Sequence, residues 1–144
     1  MSWLLDTCVV SELIRPRPKA SVVSWVLAHD ESNLFLSVIT IGELEKGIAK
    51  LPSSAKRTTL EHWVRHELAD RFRGRLLAID VGVATHWGRI AGGSEVRGQP
   101  LPVIDSLIAA TALHHGFSLV TRNEADFKFP ELDVINPWQR QVPA

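Results

Sequence analysis

Four acidic residues stand beside short apolar runs that have the patterns of buried strands and helices. They are Asp6, Glu43, Asp105 and Asp126. Carboxylates held a few ångströms apart repel one another, and this repulsion raises their pKa values unless a cation keeps them ionised. Mg²⁺ or Mn²⁺ suits such a cluster because both are hard cations that prefer oxygen ligands. A bound ion of this kind can activate water for in-line displacement at a phosphodiester.

Taken singly, most of these acids also have a structural explanation. Asp6 and Asp105 are placed where a helix N-cap would lie, and such a cap stabilises a helix by about 1 kcal/mol. Asp80, in LLAIDVGVA, also follows a predicted strand and precedes a predicted helix, and we interpret it as a cap only. Asp126 and Asn123 lie in TRNEADF, whose polar residues are typical of a turn.

Glu43 is harder to explain by structure alone. Its neighbours Ile39, Ile41, Leu44 and Ile48 place it close to the apolar face of its predicted helix. A carboxylate in that position is costly unless a cation or a hydrogen-bond donor receives it. The structural alternative is a salt bridge at the boundary of the core.

The composition indicates one globular domain. The chain has 144 residues, of which 45% are hydrophobic, so it is long enough to bury a substantial core. Its single cysteine, Cys8, excludes an internal disulfide and suits a reducing compartment. The net charge is zero, from 16 Lys and Arg against 16 Asp and Glu, which argues against a broadly basic surface but not against local basic patches.

No segment of the sequence has the pattern of a membrane helix or a secretion signal. No apolar stretch approaches the roughly 20 residues that a membrane-spanning helix needs. The N-terminus lacks a basic region and carries an acid at position 6. We therefore expect a cytoplasmic protein with no membrane partner.

Short apolar runs alternate with amphipathic segments along the chain. Strands are predicted at residues 3–5, 33–37, 75–79, 118–121 and 133–135. Helices are predicted directly after Asp6 and at residues 19–29, 40–51, 54–72, 81 to about 91, and 105–115. Strands separated by helices favour parallel pairing, which predicts an α/β sandwich. In such sheets functional residues gather at the carboxyl ends of the strands.

Other chemistries are disfavoured by residue type. No glycine-rich phosphate loop is present, and Cys8 occupies the position where a haloacid-dehalogenase-like phosphatase would need a second acid. No histidine is evidently placed to activate Cys8 as a nucleophile. His62 and His66 could share a metal ion, but a pair with this spacing is more often simply exposed. Most of the five tryptophans fall at helical core spacings, and we interpret them as packing residues rather than base-stacking platforms.

Several stretches together resemble the PIN-domain family, in particular VapC-type toxins and their FitB-like subgroup. The stretches are LLDTCVVSEL, SVITIGELEKGI, PVIDSLIAATALHHG and LVTRNEADF, followed by VINPW. They occur in the family's order and spacing and run from Trp3 to Trp138. Each motif is weak by itself, but their succession is specific.

The resemblance implies a fold and a site. The fold is a single three-layer α/β/α domain over residues 1–144, with a core of about 3–138 and a mostly parallel sheet of four to five strands. The site is an acidic, Mg²⁺- or Mn²⁺-dependent nuclease centre. The family's acids, both catalytic and metal-binding, fall in order on Asp6, Glu43, Asp105 and Asp126, and its supporting polar residues on Thr7 and Asn123. One departure is Cys8, where many relatives carry Asn, which puts a local hydrogen bond in doubt.

The resemblance also implies partners. Such proteins are usually ribonuclease toxins held inactive by a cognate antitoxin, here VapB- or FitA-like, encoded beside them. We expect a homodimer, a larger hetero-oligomer with antitoxin, and contact with operator DNA only through the antitoxin. Basic residues near the acids should contact RNA phosphates; the candidates are Arg15, Arg17, Lys46, Lys50 and Arg122. The alternative function is a non-catalytic or weakly catalytic partner in a complex that binds operator DNA and regulates transcription.

Overall fold

The structure, a computed structural model that describes residues 1–139, contains one five-stranded sheet in the order β3-β2-β1-β4-β5. All four neighbouring pairs of strands are parallel. The strands are β1 (Trp3–Leu5), β2 (Leu34–Ser37), β3 (Leu76–Leu77), β4 (Ser118–Val120) and β5 (Val134–Ile135). All the carboxyl ends therefore lie at the same edge of the sheet.

Helices connect the strands. They are α1 (Thr7–Leu13), α2 (Ala20–Leu27), α3 (Val38–Ala49), α4 (Ala55–His62), α5 (Ala69–Arg71), α6 (Val81–Val96) and α7 (Val103–His115). A π-helical segment, Trp63–Leu68, joins α4 to α5, so residues 55–71 form one continuous helical stretch as the sequence predicts. Short 3₁₀ turns occupy Glu31–Asn33, Glu124–Phe127 and Pro137–Gln139.

The sheet is buried on both faces. Because strand side chains alternate, Leu5 of β1 points into one apolar cluster and Leu4 into another. The first cluster takes residues of α1 and α2, with Leu68 and Phe72, and the second is completed by α7. Helix α6 packs on α7. The three-layer α/β/α architecture is confirmed.

The starts of three helices differ in how well they agree with the sequence predictions. Ser37 caps α3, its Oγ accepting the Ile39 N–H at 3.0 Å, so this helix begins at Val38 rather than residue 40. Asp80 caps α6 as predicted, with Oδ1 accepting the Val83 N–H at 2.9 Å. The interpretation of Asp105 as a cap is wrong, because α7 begins at Val103 and Asp105 lies within its first turn.

Helix α6 is longer than predicted. The sequence predicts an end near residue 91, but the helix continues through Gly92 and Gly93 to Val96. Ser94 in this added turn is buried, so the turn belongs to the packed interior rather than to a loop. Tertiary packing thus overrides the weak helix propensity of glycine. Within residues 1–139, no helix has both the length and the apolar character required to cross a membrane.

Candidate active site

Asp6 lies directly after β1 and is fixed by three donors. Its Oδ1 accepts the Thr7 backbone N–H at 2.9 Å, and its Oδ2 accepts the Thr121 hydroxyl at 2.7 Å and the Cys8 thiol at 3.6 Å. The residue is 5% exposed. Burial raises the pKa of this carboxyl, and the hydrogen bonds only partly offset that effect. Asp6 is both a helix cap and a buried acid aimed into the site.

Glu43 projects from α3 towards the start of α1. Thr7 Oγ1 donates to Glu43 Oε1 at 2.6 Å and lies 3.0 Å from Thr40 Oγ1. Among the ion pairs of residues 1–139 none involves Glu43, so the salt-bridge alternative is not what the structure shows. The hydrogen-bond partner of this carboxylate is therefore a hydroxyl of α1 and not a cationic side chain.

Asp105 enters the site from the start of a helix rather than from the end of a strand. Helix α7 begins at the carboxyl edge of the sheet, and its first turn carries Asp105. Burial raises the pKa of this carboxyl, and so do the charges of Asp6, Asp126 and Glu43, in that order of importance. Each of the other three acids therefore acts on Asp105 through space, and the four acids form one electrostatic cluster.

The fourth acid stands at the margin of the cluster. Asp126 lies in the exposed 3₁₀ turn after β4, where its backbone N–H donates to the Asn123 carbonyl at 3.0 Å. Its charge raises the pKa of Asp6 as well as that of Asp105. Asn123 is held by its own N–H, which donates to Thr121 Oγ1 at 3.0 Å.

A pocket of about 350 Å³ opens over the acids. Its lining comprises Asp6, Thr7, Cys8, Ser11, Glu12, Arg15, Glu43, Asp105, Arg122, Asn123 and Trp138. Of the basic candidates, Arg15 and Arg122 border this pocket, whereas Arg17, Lys46 and Lys50 are exposed elsewhere on the surface. Asp126 is outside the lining.

Cys8 contributes hydrogen bonds at the position where the family resemblance leads us to expect Asn. Its thiol donates to Asp6 Oδ2, and its Sγ accepts the Arg122 backbone N–H at 3.4 Å. Burial raises the pKa of the thiol, as does the charge of Asp6. The thiolate is thus disfavoured, which agrees with the expectation that Cys8 is not a nucleophile.

The sequence did not point to three residues of this site. Thr121, fully buried, donates to Asp6, and Thr40, also fully buried, contacts Thr7. Glu12 is 6% exposed and accepts the Lys19 N–H at 3.1 Å, while Arg15 lies 3.7 Å from its other oxygen. Glu12 could have been suspected, because it lies one helical turn after Cys8 on α1. The threonines carry no comparable signal.

The donor set fits a hard divalent cation that keeps part of its water. All the converging acid side chains offer oxygen, and no Lys, Arg or His lies within 4.0 Å of the four carboxylates in residues 1–139. Across those residues, no group of three or more His, Cys, Asp or Glu is close enough to enclose an ion directly. Burial first, and the charges of neighbouring acids second, raise the pKa values of Asp6 and Asp105, so a bound cation would favour the ionised forms of both carboxyls. These oxygen donors suit Mg²⁺, which retains several waters when bound and so needs few direct protein ligands.

The family is decided by a match that spans nearly the whole fold. Residues 3–133 match the family model described as PIN domain. This chain belongs to the PIN domain family. Among curated proteins, this PIN domain is 35% identical to VapC ribonuclease Y4jK of Sinorhizobium fredii over 94% of the chain and 97% of that protein. It is also 35% identical to Toxin FitB of Neisseria gonorrhoeae, with the same coverage of 94% and 97%.

Solved structures of the same family have the same fold. The PIN domain superposes on FitAcB from Neisseria gonorrhoeae with a TM-score of 0.88 and 34% identity, covering 96% of this chain and 99% of that one. A structure of FitAB bound to an IR36 DNA fragment gives a TM-score of 0.88 and 33% identity, with 97% and 98% coverage. The resemblance stated from the motifs is thereby confirmed.

Proposed function

We propose that this PIN domain protein is a Mg²⁺- or Mn²⁺-dependent endoribonuclease that acts as the toxin of a toxin–antitoxin pair. The observation that carries the proposal is the pocket in which Asp6, Glu43 and Asp105 face two arginines, Arg15 and Arg122. Negative charge suited to a divalent cation thus borders positive charge suited to phosphate. Relatives named VapC ribonuclease and Toxin FitB support the same conclusion.

In this proposal the four acids hold the metal, directly or through water. The chemistry supplied by such an ion would be polarisation of the phosphate and activation of a water molecule near neutral pH. Thr121 and Cys8 orient the Asp6 carboxylate, and Thr7 orients Glu43, which serves as a ligand or as a base that positions water. Asn123 keeps its proposed supporting role in the turn that carries Asp126.

The basic residues divide into two groups. Arg15 and Arg122 border the pocket, so they are placed to bind the phosphate nearest the reaction. Arg17, Lys46 and Lys50 are exposed outside the pocket lining, so we assign them to more distant phosphates of a longer RNA strand.

The partners follow from the same family. A cognate antitoxin blocks the acidic pocket, the complex is a larger hetero-oligomer, and operator DNA is bound through the antitoxin. A structure of FitAB bound to an IR36 DNA fragment supports the association of such a complex with DNA. The site of action is the cytoplasm, where the RNA substrate is found.

We also propose that residues 1–144 form one domain with a core of 3–138; residues 140–144 lie outside the described part of the chain.

A homodimer is supported by apolar surface on the first helices. A groove of about 470 Å³ runs between α1, α2 and the helical stretch 55–71, lined by residues such as Leu13, Val26 and Trp63. Leu27 and Ile14 at its border are 78% and 37% exposed. Burying this surface against a second copy in a two-fold arrangement removes it from water.

The direct test is cleavage of RNA by antitoxin-free protein. We expect cleavage in Mn²⁺ or Mg²⁺ that stops with chelator and is absent from Asp6→Asn and Asp105→Asn. If the wild type leaves RNA intact with either metal but still assembles with antitoxin on operator DNA, the chain is the regulatory partner and not an enzyme.

A further inference from the structure

Trp138 is an aromatic side chain at the border of the acidic pocket. It is half-buried, packs against the apolar cluster beneath α1 and α2, and lines the same pocket as Asp6, Glu43 and Asp105. The other lining residues within 1–139 are polar, charged or cysteine. An indole supported by the core and bordering a phosphodiester site is suited to receive a planar ligand.

A cation lies over the face of this indole. The Arg122 guanidinium carbon is 5.7 Å from the centroid of the Trp138 ring, within the range of a cation–π contact. Arg122 also lines the pocket, and its backbone N–H is tied to Cys8 next to the catalytic acids. An aromatic ring on which a base can stack is therefore adjacent to a cation that can bind a phosphate.

Hydrogen bonds hold the pair in place. The Trp138 N–H donates to Asn136 Oδ1 at 3.0 Å, which fixes the 3₁₀ turn that carries the indole. Asn136 Nδ2 donates to the Arg122 carbonyl at 3.3 Å and to Glu124 Oε2 at 3.1 Å. Asn136 thereby links the turn of Trp138 to the loop of Arg122, so the backbone segments that carry the two side chains are held together before any ligand arrives.

We propose that Trp138 and Arg122 form a nucleotide subsite, in which the indole stacks on an RNA base next to the cleaved phosphodiester while Arg122 binds a neighbouring phosphate. This inference rests on the proposed ribonuclease function. Stacking on an aromatic ring tolerates any base but requires that the base be unpaired. The subsite therefore favours single-stranded RNA over duplex, and Trp138 combines this role with its packing on the first cluster.

The first experiment compares substitutions at Trp138 on a single-stranded oligoribonucleotide. Trp138→Leu should raise KM about tenfold with little change in kcat, and Trp138→Phe should recover most of the loss, because it restores an aromatic face. Trp3→Leu is the matched control. Trp3 is also half-buried on the first cluster, but it begins β1 and lies outside both the acidic pocket and the groove proposed for the homodimer, so KM should stay within about twofold.

The salt dependence of RNA binding distinguishes the stacking contact of Trp138 from the ionic contact of Arg122. Binding is measured by fluorescence anisotropy in the Asp105→Asn background, where cleavage is absent. The loss caused by Trp138→Leu should be equal at low and high salt, whereas the loss caused by Arg122→Gln should shrink as salt rises.

An abasic scan then locates the contact. Removing the base at one position of the oligonucleotide should weaken binding by wild type, and Trp138→Leu should show no further loss for that same substrate.

The subsite is overturned if folded Trp138→Leu and Trp138→Phe bind RNA as wild type does, or if the abasic and Trp138 effects simply add. A wild type that binds RNA but does not cleave it contradicts the nuclease proposal and leaves this binding test intact; a wild type that does not bind RNA overturns both.

Discussion

The Thr121 hydroxyl donates a 2.7 Å hydrogen bond to Asp6 Oδ2 across 115 positions of sequence. The contact joins the ends of the neighbouring strands β1 and β4, and both residues are buried. Thr121 Oγ1 also accepts the Asn123 N–H. A single hydroxyl thus orients the first acid and anchors the turn that carries the fourth.

Thr121→Val should impair both activity and stability. It leaves one oxygen of a buried carboxylate without its strongest donor and the Asn123 N–H without its acceptor. We expect a loss of about 1.5–3 kcal/mol in the free energy of unfolding, measured in urea, and a fall of about tenfold or more in kcat. Thr121→Ser keeps the hydroxyl and should retain most of the activity and most of the stability. Equal activity of the valine and serine variants would contradict the orienting role.

Metal binding should depend on the acid cluster and not on acids in general. Calorimetry with Mn²⁺ or Mg²⁺ should show affinity that falls by about tenfold or more in Asp6→Asn and in Asp105→Asn. Asp80→Asn is the matched control, since it also follows a strand and caps a helix, and asparagine caps equally well. Unchanged affinity in both cluster variants would reject these residues as ligands.

Asp105→Asn should stabilise the metal-free protein at neutral pH. The folded-state pKa of Asp105 is raised by burial and by the other acids, so its ionised form disfavours the fold above that pKa. Because the group is half-buried and partly screened, we expect a gain of about 0.5 kcal/mol, or roughly 1–2 °C in Tm.

The advantage of this variant should disappear as the pH falls through the folded pKa of Asp105, since the wild-type carboxyl then becomes neutral as well. Thermal melts of both proteins across that pH range, in chelator, measure the difference. Saturating metal at neutral pH should reverse the order, because it stabilises the wild type more than a variant whose metal affinity is about tenfold lower. An advantage that grows towards acid pH would have the wrong sign for a raised carboxyl pKa.

Toxicity should depend on the site. Expression of the wild type alone should arrest growth, and co-expression of the antitoxin encoded beside it should restore growth. Asp6→Asn should be harmless alone yet still bind the antitoxin, because most of such an interface lies outside the pocket. If folded Asp6→Asn, expressed at the wild-type level, arrests growth equally, toxicity does not come from this pocket.

The apolar helices should mediate self-association. Light scattering at micromolar concentration should give the mass of a dimer, and Leu27→Glu should shift it towards the monomer by placing a charge on the groove formed by α1, α2 and residues 55–71. Val96→Glu is the control, since Val96 is 90% exposed on α6, away from this groove. A monomeric wild type, with and without antitoxin, would argue against the homodimer.

The sequence by itself determined the order of elements and the candidate acids. Alternating apolar runs require strands and helices because only those elements satisfy the backbone while burying one face. Asp80 could be recognised as a cap because capping depends on adjacent residues alone. Bounds that depend only on local residues were nearly right, as for strand β1 and for the helical residues 55–71.

Only the tertiary structure decided which side chains meet. The contacts of Thr121 with Asp6 and of Thr7 with Glu43 join residues far apart in sequence, and their geometry is set by the packing of β1, β4 and α3. The same packing extended α6 beyond its glycines and moved Asp105 off the cap position. It also placed Trp138 beside the acids. A linear pattern reports what each segment buries, but the distance between two buried groups is fixed only when the sheet has formed and its helices have packed on it.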